Sequence, residues 1–350
     1  MNFENKKPAS EFLPALESSR GIAAFLVVVF HYSFSISEIR FFSQSFYLAV
    51  DFFFILSGFI MAKIYFEKIS NRKLFAKFLI LRLGRIYPLH LFWFFIYLIS
   101  FLITQKGQLS LDQNNSILPT ISLLNSAHLM DRHTSFNLPS WSISAEWISY
   151  LLFGLHMLCF SHIQKGINTI FCILIGLFSY FAVFSLHPQL GLDVTFQAGF
   201  LRGIGGFYFG ILGFLITQKF QVNIKILKWF FLLMVIFLFI NNPRTYTDYL
   251  FPPLALFLVT GLSGYEAQKS FLAKPFLVWI GTISYSVYLG HEFVGKLANQ
   301  VYSKISLTPL DGFHSYILFS LKIILCYIIA HLTYKLIERP FRQKTRSLVS

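Results

Sequence analysis

Two residues in the first apolar run carry chemistry that its greasy setting makes conspicuous. Arg20 stands at the start of the run and His31 near its middle, in Arg20-Gly21-Ile22-Ala23-Ala24 and Phe30-His31-Tyr32-Ser33. On a helix the intervening residues turn through about 1100°, within roughly 20° of three full turns, so both side chains leave one face. His31 then stands about 16 Å beyond Arg20 along the axis. A cation at a mouth and an imidazole that titrates near neutral pH above it describe a lined path with a base inside it. The plainer reading is an arginine that snorkels to the interface and a histidine bonded to a neighbouring helix.

Other polar groups interrupt apolar runs in the same way, and ionisable residues there are functional candidates by default. Glu146 follows Pro139-Ser140-Trp141-Ser142-Ile143-Ser144-Ala145 and lies more than a turn inside its run. A buried carboxylate needs a cation or an imidazole beside it, and His31 is at matching depth. Ser142 and Ser144 can donate hydrogen bonds to an oxyanion or hold a substrate. Asp51 opens Asp51-Phe52-Phe53-Phe54-Ile55-Leu56-Ser57-Gly58 near the far interface; Ser57 and Gly58 fit close helix packing. Arg82 and Arg85 share a helix face, and their planar guanidiniums suit bidentate phosphate binding, whereas a topology signal is the simpler role. Arg202, His291 with Glu292, and Lys322 complete the in-run set. Gly199, Gly203, Gly206 and Gly210 form a small-residue face. Cys159, Cys172 and Cys326 lie in apolar runs with no metal-ligand spacing, so neither a disulfide framework nor a metal site is expected.

These residues need long apolar elements to position them. Of 350 residues, 55% are hydrophobic and only 13% charged, where a soluble domain carries about 25%. Disorder is excluded by the same arithmetic. Spans of about 20 apolar residues fall near 20–38, 46–66, 87–104, 141–160, 167–186, 199–217, 227–241, 249–265, 275–295 and 315–337, with Pro252 and Pro253 interrupting the eighth. The sequence thus predicts an all-α integral membrane bundle of about ten helices. The polar start reads as a retained first span, not a cleaved signal peptide. An apolar patch at 117–129, inside the polar stretch 105–140, fits a short interfacial helix. Net charge is +14, and alternation over ten spans leaves only Arg40, Lys106, Arg132, Arg244, Lys296 and Lys304 on the outer side. Most of the remaining basic residues, Lys6 and Lys7 among them, then face inward, which places both termini in the cytoplasm. Their dispersal over loops argues against nucleic-acid binding.

Taken in order, Arg20-x10-His31, Asp51-Phe-Phe-Phe-x-Leu-Ser-Gly58, Arg82-x2-Arg85-Ile-x-Pro88, Trp141-Ser-x-Ser-x-Glu146, Ser284-Tyr-Ser-x-Tyr-Leu-x-His291 and Glu338-Arg-Pro340 resemble the acyltransferase-3 family from about Ala15 to Phe341. Two details depart from the family pattern: Trp147 stands where a second acidic residue is usual, and Glu292-Phe293 follows His291 where an aromatic and a proline are usual.

The resemblance implies a multi-pass protein of the bacterial inner membrane that O-acylates a cell-surface glycan or glycolipid. It implies an acyl-CoA donor, acetyl-CoA first, drawn from the cytoplasm, and no metal. Residues 1–19 are then a cytoplasmic segment, 20–341 the acyltransferase-like membrane domain, and 342–350 a basic cytoplasmic tail, with no esterase-like domain appended. Arg20, Arg82 and Arg85 fall to the phosphates of CoA. His31 falls to general base, supported by Glu146. Ser142, Ser144, Asp51 and His291 fall to substrate or oxyanion. The acceptor would enter beneath residues 105–140. A secondary transporter or flippase is the rival reading, since in-span charges fit it too, but no internal repeat is detectable.

Overall fold

The computed structural model describes residues 12–66, 68–130, 135–160, 165–220, 224–305 and 312–349. Lys6, Lys7 and Arg132, together with most of the expected N-terminal segment, lie outside them. Among the described residues there are helices and no strands. The α-helices are α1 (Pro14–Tyr32), α2 (Ser37–Ser43), α3 (Ala49–Tyr65), α4 (Arg72–Thr104), α5 (Leu111–Ile121), α6 (Ser140–Phe160) and α7 (Lys165–Leu186). They continue with α8 (Gly199–Thr217), α9 (Ile224–Ile240), α10 (Phe251–Leu262), α11 (Pro275–Thr282), α12 (Ser284–Ile305), α13 (Gly312–Thr333) and α14 (Arg339–Val349). Among the described residues six helices are long and apolar enough to cross a membrane: those holding Phe46–Tyr65, Arg72–Thr104, Ser140–Phe160, Gly166–Leu186, Gly199–Thr217 and Gly312–Val349.

Every apolar run expected from the sequence is helical, but several boundaries move, each for a local reason. α1 starts at Pro14, a residue suited to the first helical turn, and ends at Tyr32, so the first run shifts toward the N-terminus. α4 is capped by Asn71, whose side chain accepts from the Leu74 amide at 3.0 Å, and passes through Pro88 where a helix start was expected. The Tyr285 hydroxyl donates to the Ile86 carbonyl (2.6 Å) beside that proline; a neighbouring helix thereby supports backbone that the proline disturbs. Pro252 and Pro253 interrupt nothing, because they sit in the first turn of α10, where their missing N–H groups have no intrahelical partner to lose. The expected ninth run breaks at Ile283 into α11 and α12. Inside 105–140 the helix is α5, closed by a capping box between Ser110 and Gln113 and placed slightly ahead of the expected patch. The expected tail from 342 onward is part of α14.

The hub of the bundle is α8, and its small residues let several backbones approach it. A Cβ added at Gly210 would strike the Ile55 carbonyl of α3, and one at Gly58 of α3 would strike the Phe207 carbonyl. Gly206 faces Phe54 of α3, Gly199 and Gly203 face Trp141 and Ala145 of α6, and Gly205 faces Tyr180 of α7. α1 meets α11 in the same manner, through Gly21 and Gly281.

This packing has a measurable consequence. Gly210→Leu forces a side chain into backbone and is expected to cost about 3 kcal/mol or more, at or above the upper end of ordinary overpacking. Gly166→Ala, with open space around its position, is expected to leave stability unchanged or slightly raised. Thermal unfolding of both purified variants in detergent checks the contrast, and equal melting temperatures would contradict it.

Candidate functional site

A cavity of ≈ 340 Å³ lies among α1, α3, α4, α6, α11, α12 and α14. Glu146, carried inward by α6, lines it. Its Oε1 accepts from the Ser57 hydroxyl of α3 at 2.6 Å and from the Tyr150 hydroxyl one helical turn on at 2.5 Å. Ser142 lies on the same helix face; its Oγ is 2.8 Å from the Tyr288 hydroxyl and 3.0 Å from the Pro139 carbonyl. Arg20, Arg82, Arg85 and Arg342 also line this cavity. Arg20 pairs with Glu17 at 3.2 Å. Arg82 makes only long contacts, 3.5 Å each to the Met61 sulfur and the Tyr65 hydroxyl. Among the described residues Arg82, Arg85 and Arg342 have no ion pair. The cavity therefore joins a cationic wall to a carboxylate held by two hydroxyls.

A smaller pocket of ≈ 50 Å³ holds His31, between Phe30, Tyr47, Trp141 and Arg202, with Leu138, Pro139, Asp193, Thr195 and Arg244 also on its walls. Val50 and Tyr288 line both cavities and so stand where the two adjoin. The His31 Nδ1 lies 2.9 Å from the Val27 carbonyl. An acceptor there fixes the proton on Nδ1 and makes Nε2 the basic nitrogen. The His31 ring stands 4.7 Å from that of His291, whose Nδ1 bonds the Tyr288 carbonyl at 2.7 Å. On the rim Arg244 pairs with Asp193 at 2.9 Å. Behind the rim the buried Asp248 accepts from Tyr47, the Leu192 amide and Asn241. Burial is the strongest influence on the Asp248 carboxyl and raises it above the usual carboxylate range, against those three bonds.

Several sequence expectations change. Glu146 was paired with His31; the structure gives it Ser57 and Tyr150 and places it in the larger cavity, because α6 presents it toward α3. Asp51 was given to substrate, yet it is fully buried and bound by Arg202, with Nε–Oδ1 3.0 Å and Nη2–Oδ2 2.5 Å. Arg202 also donates to the Tyr47 carbonyl at 3.1 Å. That pair clamps α3 to α8. Ser144 is fully buried against Ser126 (2.8 Å) and lines neither cavity. His291 is likewise fully buried and lines neither, although it stands behind His31. The pocket wall beside His31 takes Asp193, Thr195 and Arg244 from the α7–α8 and α9–α10 connections and, among the described residues of the 105–140 stretch, only Leu138 and Pro139. Tyr150 was missed, though its spacing of four from Glu146 is the one signal that a sequence offers for such a bond. Tyr288, Asp193, Arg244 and Arg342 carried no comparable signal. Among the described residues no three His, Cys, Asp or Glu side chains gather as metal ligands.

A family model described as an acyltransferase domain matches residues 13–334. The chain is 25% identical to the peptidoglycan O-acetyltransferase OatA of Listeria monocytogenes, over 95% of this chain and 56% of that protein. It is 24% identical to the O-acetyltransferase OatA of Staphylococcus aureus, over 97% of this chain and 58% of that protein. The chain thus spans little more than half the length of these curated relatives. No solved structure matches it.

The Asp51–Arg202 clamp yields a direct test. Asp51→Ala strands a buried guanidinium and is expected to destabilise the protein by about 3–5 kcal/mol. Adding Arg202→Leu removes the stranded charge and is expected to recover much of that loss. Thermal unfolding of both variants decides it, and a double variant no more stable than the single one would show that the pair is not the cause.

Proposed function

This chain belongs to the acyltransferase-3 family, and from that premise we propose that it is a membrane O-acyltransferase moving an acyl group, acetyl first, from cytoplasmic acyl-CoA to a hydroxyl of a cell-envelope glycan. The observation that carries the proposal is the arrangement of two cavities. One has a cationic wall in which Arg82, Arg85 and Arg342 make no ion pair among the described residues, the other holds an imidazole, and Val50 and Tyr288 line both. A volume of ≈ 340 Å³ sits within the range of about 300–1,000 Å³ usual for small-molecule sites.

In this reading Arg82 and Arg85, with Arg20, hold the phosphates of CoA, since planar guanidiniums grip phosphate through paired donors. The pantetheine arm runs along the polar wall of Ser57, Glu146 and Tyr150 and brings the thioester to Tyr288, where the cavities adjoin. The acceptor hydroxyl enters past Asp193 and Arg244 to His31. His31 Nε2 takes the hydroxyl proton as the oxygen attacks the thioester carbonyl. The Ser142 and Tyr288 hydroxyls stand at that junction to donate to the oxyanion. Collapse breaks the carbon–sulfur bond, and the CoA thiolate takes the proton back from His31. Glu146 acts here by fixing Ser57 and Tyr150, so its part in transfer is positional. The inner-membrane setting with both termini cytoplasmic puts the cationic wall on the side where CoA is found. The activity named for the Listeria relative makes a peptidoglycan-type glycan the first acceptor to try.

Three outcomes test this. His31→Ala, present at wild-type level, is expected to lower acetyl transfer to glycan by about 10²–10⁴-fold, the usual contribution of a general base. Full acylation by that variant would remove the base from the proposal. Arg82→Ala and Arg85→Ala are each expected to weaken acetyl-CoA binding about tenfold. The wild-type protein should release free CoA from acetyl-CoA only when glycan is present, a reaction that a transporter does not perform.

A further inference from the structure

The last helix supplies a residue to the donor cavity that the donor reading above does not use. α14 follows a π-helical turn at Tyr334–Glu338 and packs along α4, with Thr345 seated on Gly84 so closely that a Cβ at Gly84 would collide with it. One turn back on the same face of α14, Arg342 lines the cavity beside Arg20, Arg82 and Arg85. The family match stops at residue 334, so Arg342 and its helix lie beyond it.

The charge around this cavity is unbalanced. Of the lining carboxylates, Glu17 is engaged by Arg20, and Glu146 is held by Ser57 and Tyr150. Glu338, not among the lining residues, is 3% exposed and accepts from the Ser286 hydroxyl at 3.0 Å, with no ion pair to the arginines among the described residues. Arg82, Arg85 and Arg342 therefore face one space without a paired anion among the described residues. Like charges held together in a low-dielectric wall repel. Bringing a further arginine in on a separate, tightly seated helix makes physical sense when a polyanion occupies the space.

We propose that α14 is a wall of the donor site and that Arg342 is a phosphate-binding residue for the nucleotide end of a CoA thioester. This rests on the donor reading given above and extends it to a helix outside the family-matched region. Thr345 on Gly84 is the seat that fixes the position of Arg342, and Arg85, next to Gly84 in the chain, moves with the same contact.

The experiment compares CoA, which carries the phosphates, with S-acetylpantetheine, which lacks them. The probes are tested on full-length protein in phosphatidylcholine nanodiscs, with wild type, Arg342→Gln, Arg342→Lys and the exposed control Arg339→Gln. Arg342→Gln is expected to raise the Kd for CoA about tenfold while leaving the KM for S-acetylpantetheine unchanged. Arg342→Lys is expected to recover part of the CoA affinity, and Arg339→Gln to match wild type. Wild-type CoA affinity in Arg342→Gln would overturn the proposal and leave the donor reading standing. An equal loss with both probes would overturn it in favour of a purely structural role for α14. A wild-type protein that binds no CoA would overturn the donor reading itself, and this inference with it.

Discussion

The architecture depends on the contact between α3 and α8. Two backbones come together there because Gly58 and Gly210 present no side chain to the carbonyls of Phe207 and Ile55, and Gly206 none to the Phe54 side chain. At one end of the contact Asp51 and Arg202 form a fully buried ion pair. Glycines permit the approach but do not fix the sliding position of one helix on the other. The ion pair does, because a displaced guanidinium would leave two bare charges in a medium that cannot solvate them. With α3 held, the Ser57 hydroxyl has a set place, and Glu146 on α6 can find it. α6 in turn is set against α8 by Gly199 and Gly203. The polar wall of the large cavity is thus a downstream result of a contact that never touches it.

Dividing the interior into two compartments has chemical consequences. A thioester and a basic imidazole in one open cavity would share that space with water. Val50 and Tyr288 line both cavities, and the His31 pocket holds only ≈ 50 Å³. Tyr288 is anchored through Ser142, so the junction is a hydrogen-bonded side chain and not a backbone wall. In the acyl-transfer reading proposed above, this side chain marks where donor and acceptor would meet.

The cationic wall gathers arginines from opposite ends of the chain. Arg20 comes from α1, Arg82 and Arg85 from α4, and Arg342 from α14. Their convergence relies on small-residue contacts similar in kind to those of the hub: Gly21 with Gly281, and Gly84 with Thr345. Close helix approach concentrates charge here, whereas around Asp51 it neutralises charge.

Much of this was legible in the sequence. Apolar length determined where helices form, since unsatisfied backbone in an apolar medium leaves little alternative. The rarity of polar groups in those runs marked Arg20, His31, Asp51, Arg82, Arg85, Ser142 and Glu146, all of which the structure finds at cavities or in a buried pair. Partnership was not legible. Glu146 and His31 match in depth, and depth is what a one-dimensional reading measures. Whether two side chains meet depends on the rotation of each helix about its axis and on which backbones can touch. Those are settled by glycines on third helices and by an arginine, Arg202, far along the chain. For the same reason Asp51 looked free for chemistry, and α14 looked like a tail. The residue types and their depth came from the sequence alone; only tertiary packing decided which of them share a space.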